Sequence, residues 1–295
     1  MNDGKGTAAL LATMIIFGSS YAITKVGLEG ISPLVLSFAR SIVACVFLCA
    51  TILVKGDSGV FITKIKDEWK YFAALGMTGV ALFNIFQNVG IKLTSSALAG
   101  TLHNTIPLFI LILSWVFLHE KITIPKILGI FTGLVGVCII VFVGSDFTDM
   151  LHSQTVVGNA MVLGSAVMWA VYTLLNKNMS KHYNPLFLTA SAYIFGSMFL
   201  LPVAVSMEHI GSLASLSVKT WSIVLYLGIF CSGITFLLWN YALSRMDSTK
   251  ASVFIYLIPI VAILVGWAFM GETITCYMLL GFALTIIGIC ISGKE

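Results

Sequence analysis

The sequence predicts an all-α membrane protein, with ten transmembrane helices arranged as two inverted five-helix repeats. Three observations predict it. Hydrophobic residues make up 59% of the chain and charged residues 9%, with a mean hydropathy of +1.03, whereas soluble domains are about a quarter charged. The apolar residues fall into ten runs near the roughly 20 residues that a helix needs to cross a bilayer. The third observation is that the chain repeats itself at a fixed offset of 152 residues.

The first set of runs covers 7–27, 33–54, 70–91, 95–117 and 124–143. The second covers 157–178, 184–206, 220–243, 249–270 and 274–292. A β-barrel is excluded, because its strands would be about ten residues long with alternating polarity. The first run is too long for a signal-peptide core and lacks a cleavage site, so it is expected to stay attached. With the N-terminus inside, twelve Lys and Arg fall on the cytoplasmic side and only Lys25, Lys92 and Lys219 outside, with Arg40 within a helix completing the 16. That bias places both termini in the cytoplasm of a multi-pass protein, most simply in a prokaryotic cytoplasmic membrane. The basic residues are dispersed among loops, which argues against nucleic-acid binding.

The repeat shows best in WVFLHEKIT (Trp115–Thr123) and WAFMGETIT (Trp267–Thr275). The same offset pairs Lys25 with Lys177, Pro33 with Pro185, Trp69 with Trp221, Asn88 with Asn240, and Pro107 with Pro259. Chance predicts about 0.06 Trp pairs at one offset, and two occur. The domains are therefore a first repeat over 6–143, an extracytoplasmic linker over 144–157 and a second repeat over 158–295. Five helices per repeat means that the second copy enters from the opposite side, the organisation of carriers that expose one central site alternately.

His119 and Glu120 would open an H-E-x-x-H zinc signature, but Thr123 stands where the second histidine belongs. No GxSxG elbow and no cysteine pair with zinc spacing occurs. No enzyme, metal or cofactor is expected. Glu120 and Glu272 are expected to be structural: Thr123 and Thr275 can cap the next helix, whose positive end favours a carboxylate. No Asp or Glu lies deep in a helix, which argues for facilitated diffusion or exchange over proton antiport through a buried acid.

The chain resembles the drug/metabolite transporter superfamily in its ten-helix EamA-type branch. The resemblance rests on the doubled five-helix unit, Arg40 in SFARSIVA, prolines in NTIPLF and YLIPIV, the HEKIT and GETIT glutamates, and the glycine-rich LGIFTGLVGV and LGFALTIIGI. It implies a secondary carrier exporting small metabolites, amino acids or drugs, with a cavity lined by helices one to four and six to nine. A channel-like facilitator or structural membrane subunit is the alternative, with a membrane-embedded enzyme behind both.

Polar side chains inside the helices mark the candidate substrate site. At 1.5 Å per residue, Arg40 and Asn84 lie about 10 Å below the outer face, and His103 and Asn104 about 12 to 14 Å. Asn84, Gln87 and Asn88 share one helix face. These six are expected to form one polar layer, either binding substrate or hydrogen-bonding helices together. Arg40 either snorkels outward or offers a cation to a substrate carboxylate or phosphate. His103 reads as a hydrogen-bonding residue before a protonation switch. The second-half mates are bulky: Ala192 for Arg40, Phe236 for Asn84, Trp239 for Gln87 and Tyr256 for Asn104. Trp239 and Tyr256, with Trp169, Tyr172 and Tyr193, would form an aromatic wall suited to an amphipathic solute. The expected partners are thus a small molecule and the lipid bilayer. Gly129, Gly133, Gly136, Gly281 and Gly288 allow close helix contact, within the chain or in a homodimer. Pro107 and Pro259 bend their helices, as gates or as fixed kinks.

Overall fold

The computed structural model describes residues 4–94, 96–142, 153–207, 213, 216–261, 264 and 276–292. All the regular structure among them is helical: α1 (Gly4–Gly27), α2 (Pro33–Val54), α3 (Ser58–Asp67), α4 (Trp69–Leu93), α5 (Ser96–His103), α6 (Ile106–Leu118), α7 (Ile124–Phe142), α8 (Ser153–Met179), α9 (Pro185–Met207), α10 (Val218–Leu243), α11 (Ser248–Val261) and α12 (Cys276–Ser292). Six of these, α1, α2, α4, α8, α9 and α10, are long and apolar enough to cross a membrane, and shorter apolar helices accompany them. Apolar side chains such as Ile112, Phe117, Phe131, Val135, Leu279 and Ile286 stay exposed on the outside, where a bilayer replaces water. The chain is an integral membrane protein.

Two helices depart from the expected runs. The run 95–117 is split, because Pro107 lacks an N–H and its ring opposes a continuous helix. The chain breaks at Asn104 and Thr105 between α5 and α6. In α11 the residues ahead of Pro259 tighten into a 3-10 turn, Phe254–Tyr256. Helix α3 lies between two expected spans; it is short and amphipathic, with Phe61 buried against Phe187 at a ring separation of 5.1 Å. Both α4 and α10 carry a π-helical stretch, Met77–Leu82 and Leu227–Ile234.

Glycine decides the closest contact. A Cβ on Gly129 would meet the Gly288 carbonyl oxygen at 2.6 Å, and one on Gly136 the Gly281 oxygen at 2.7 Å. Helices α7 and α12 therefore touch backbone to backbone, and the glycine-rich faces are spent within the chain. Gly133 shares that contact through Gly288 and is also the seat of the Tyr256 ring.

Lysines tie helix ends. Lys25 Nζ donates to the carbonyls of Ile91 (2.8 Å) and Thr94 (2.7 Å) at the end of α4. Lys177 Nζ donates to Leu243 (2.8 Å) and Met246 (2.7 Å) at the end of α10. Each ammonium meets the negative end of a helix. The linker residues Asp146, Asp149 and His152, together with Glu272 and Thr275, lie outside the described residues.

Candidate functional site

The α4 trio is buried as its spacing predicts, but its members do different work. Asn88 Nδ2 donates to Ser37 Oγ on α2 (2.8 Å), which itself donates to Pro33 O, so Asn88 ties α4 to α2. Asn240 makes the corresponding bond to Thr189 Oγ1 (2.8 Å) and also donates to the Tyr172 hydroxyl (2.8 Å). Asn84 Nδ2 turns back to Val80 O in the π stretch (2.8 Å), leaving its Oδ1 buried and unpartnered. Gln87 is buried on the same face, toward the Tyr21 hydroxyl of α1. The expected single polar layer is thus divided among local partners, because Asn84 finds one on its own helix and Asn88 one on a neighbouring helix.

Tyr21 leads to His103. The Tyr21 hydroxyl pairs with His103 Nδ1, and His103 Nε2 pairs with Ser165 Oγ on α8. Ser165 Oγ also stands 2.7 Å from Val162 O; with its proton given there, its oxygen accepts from His103 Nε2–H and Tyr21 donates to Nδ1. A chain of hydrogen bonds runs from Tyr21 through His103 to Ser165. The chain joins α1, α5 and α8, and His103 stacks on Phe83 of α4 (6.0 Å, 15°). Asn104 is buried beside it, Nδ2 on Gly100 O (2.7 Å) and Oδ1 unpartnered.

Arg40 does not snorkel. It is 3% exposed and reaches across to α10, where its Nε donates to Ser232 Oγ in the second π stretch (3.0 Å). This is its single hydrogen bond among the described residues. No buried Asp or Glu is found among those residues to balance it. The Tyr193 hydroxyl lies beside Ser232, within electrostatic reach of Arg40, and is itself unpartnered. The π stretches are closely packed by neighbouring side chains. A Cβ on Gly228 would strike Val43 at 2.5 Å, and one on Gly79 would strike the Tyr172 ring at 2.1 Å.

Next to this polar patch stands an aromatic cluster. Phe236 lies 4.9 Å from Trp169, 5.2 Å from Tyr193 and 5.6 Å from Tyr172 between ring centroids. Trp169 lies 5.0 Å from Phe83, 5.6 Å from Phe17 and 5.6 Å from Trp239. Trp169, Tyr172, Tyr193, Phe236 and Trp239 are each at most 2% exposed, so the cluster is closed on every side. Both indole N–H groups are unpartnered. Tyr256 is placed elsewhere: its hydroxyl donates to Ile130 O (3.0 Å) and it belongs to a separate packing cluster under α7.

Phe17, Tyr21, Phe83, Ser165 and Ser232 are additions to the residues expected from sequence. The available signal was the i, i+4 pairing of Phe17 with Tyr21 and of Phe83 with Gln87, which puts each pair on one helix face.

Glu120 accepts from Ser248 N (3.0 Å), Ser248 Oγ (2.5 Å), Thr249 N (3.4 Å) and Thr249 Oγ1 (2.9 Å). It caps α11, not the next helix α7 as its spacing suggested. His119 adopts a left-handed φ of 54° at the end of α6, which turns the chain sideways.

The EamA-like transporter family model matches residues 4–142 and again 156–293. The chain belongs to the EamA-like transporter family. An uncharacterized transporter of Archaeoglobus fulgidus is 30% identical over 293 residues, covering 99% of each chain. Another from that organism is 32% identical over 286 residues, covering 97% of this chain and 98% of its own. A probable terminal-alkyne amino-acid exporter of Streptantibioticus cattleyicolor is 30% identical over 295 residues, covering 100% of this chain and 95% of its own. A protein crystal structure superposes with a TM-score of 0.78 at 20% identity, covering 97% of this chain and 96% of its own, a likeness of fold alone. This EamA-family chain is thus a membrane transporter.

Proposed function

We propose that the chain is a secondary carrier of small amphipathic metabolites, amino acids foremost, which moves them outward by rocking two inverted five-helix halves about the Arg40–aromatic site. The observation that carries this reading is a buried guanidinium, without a charged partner among the described residues, set against a closed aromatic cluster. An intramembrane charge is costly, and it points to a ligand when no protein group balances it. Arg40, Asn84, Trp169, Tyr172, Tyr193 and Trp239 would line the bound solute. Asn88 serves as helix glue.

The inverted arrangement is supported by contacts that recur 152 residues apart: Lys25 and Lys177 at helix ends, Asn88–Ser37 and Asn240–Thr189 between helices, and the paired π stretches. Orientation follows from the helix ends. Gly6 at the start of α1 packs on Arg245 and Met246 beyond α10, while Gly158 near the start of α8 packs on Leu93 and Thr94 at the end of α4. Lys25 at the far end of α1 reaches the same α4 end. Helices α1 and α8 therefore start at opposite ends of the bundle. The lysine bias supports a cytoplasmic location for both termini, and the Streptantibioticus relative supports amino-acid export. A homodimer would use the outer apolar faces of α7 and α12, such as Phe131 and Ile286, because their glycines are occupied.

Counterflow in proteoliposomes tests the reading. Saturable exchange with competition among solutes supports a carrier; flux that never saturates points to a channel-like facilitator and overturns it. Exchange without a coupling ion predicts that an imposed pH gradient drives no accumulation.

A further inference from the structure

We infer that Arg40 is a carboxylate anchor and that the substrate class is defined by a carboxylate on an apolar body, with the amino group of an amino acid tolerated and not required. This inference deepens the carrier reading and rests on it.

The donor inventory supports it. Ser232 takes only the Nε side of Arg40, leaving the edge formed by the two Nη groups without a protein partner among the described residues. That edge matches the two oxygens of a carboxylate, which it binds through parallel charge-assisted hydrogen bonds. The adjoining aromatic cluster holds further unpartnered donors, among them the indole N–H of Trp169, that of Trp239 and the hydroxyl of Tyr193. Indole is donor only, so both Trp groups ask for an acceptor.

An ammonium finds much less. The unpartnered acceptors among the described residues of these helices include the amide oxygens of Asn84, Asn88, Asn176 and Asn240, which can receive an N–H but cannot neutralise a charge. No carboxylate is buried among the described residues. A carboxylate ligand brings Arg40 to neutrality, and a cationic amine would add a second buried positive charge. The apolar body then meets Tyr193, whose ring packs edge-to-face on Phe236 as Phe236 does on Trp169.

The test uses three solutes of one shape: 4-methylpentanoate, leucine and 3-methylbutylamine, titrated against the detergent-purified full chain by thermal shift, with 3-phenylpropanoate as a larger carboxylate. The two carboxylates and leucine are expected to stabilise the protein, and the amine to leave its midpoint unmoved at the same concentration. Arg40→Gln is expected to weaken carboxylate binding at least tenfold. The inference is overturned by an amine that binds as tightly as the acids, by Arg40→Gln binding the acids within threefold of wild type, or by no shift with any carboxylate. If Arg40→Gln does not purify folded, the comparison on the wild-type chain decides. Saturable counterflow that Arg40→Gln leaves intact would remove the anchor and keep the carrier. Carboxylate binding with no saturable flux of any solute would remove the carrier and keep the anchor.

Discussion

Replacing Glu120 separates a structural glutamate from a coupling one. Its carboxylate receives two backbone N–H groups and two hydroxyls at the start of α11, and both hydroxyl-bearing residues are buried. An N-cap is worth roughly 0.5–2 kcal/mol, and a hydrogen bond to a charged group about 1.5–3. Glu120 is half-buried, so solvent screening reduces the charged part, and Glu120→Ala should destabilise the protein by about 2 kcal/mol. Glu120→Gln keeps one acceptor and should cost about half as much. Thermal unfolding of the purified variants reads the loss, and proteoliposome flux against pH reads the function. A structural cap predicts lowered midpoints in the order Gln then Ala, with an unchanged pH profile. An Ala variant that melts like wild type, or a Gln variant that shifts the pH profile, would refute the reasoning.

Asn84→Ala and Trp239→Ala should each reduce flux without reducing membrane insertion, measured by counterflow and by the yield of folded protein; normal flux in both would remove the proposed cavity. His103→Leu should lower the unfolding midpoint more than Tyr21→Phe, because it strands the buried Tyr21 hydroxyl at about 1–3 kcal/mol and also removes the ring stacked on Phe83, and nitrogen NMR of the wild-type histidine should report the Nε2–H tautomer, with Nδ1–H contradicting the relay. Gly129→Leu should part α7 from α12 and abolish folded yield, since a backbone oxygen 2.6 Å away cannot turn aside, whereas Gly4→Ala, with nothing within 4 Å, should be silent.

Composition and run length made the helices legible, and α2 starts and stops where its run does because Pro33 opens it. The break at Asn104 was readable only as a bend, since one proline does not tell how far the helix unwinds. Helix α3 was hidden because an amphipathic decapeptide looks like a polar loop when neighbouring runs set the scale. Arg40 was visible as an intramembrane charge, but its direction depended on Ser232, 192 residues away. Tyr256 shows the limit of repeat arithmetic. It stands 152 residues after Asn104, yet an equal place in a sequence repeat does not bring two residues together, and Tyr256 packs on Gly133 instead. The cluster around Phe236 is tertiary throughout: its rings come from five helices, and no local spacing announces that they converge.

The central claim is the antiparallel threading of two halves around one site. In a chain lacking its six cysteines, single cysteines replacing exposed Gly4 and Val156, 152 residues apart, can be tested with an impermeant thiol reagent in sealed, oriented vesicles. The account predicts that they label from opposite sides of the membrane. Labelling of both from one side would contradict it.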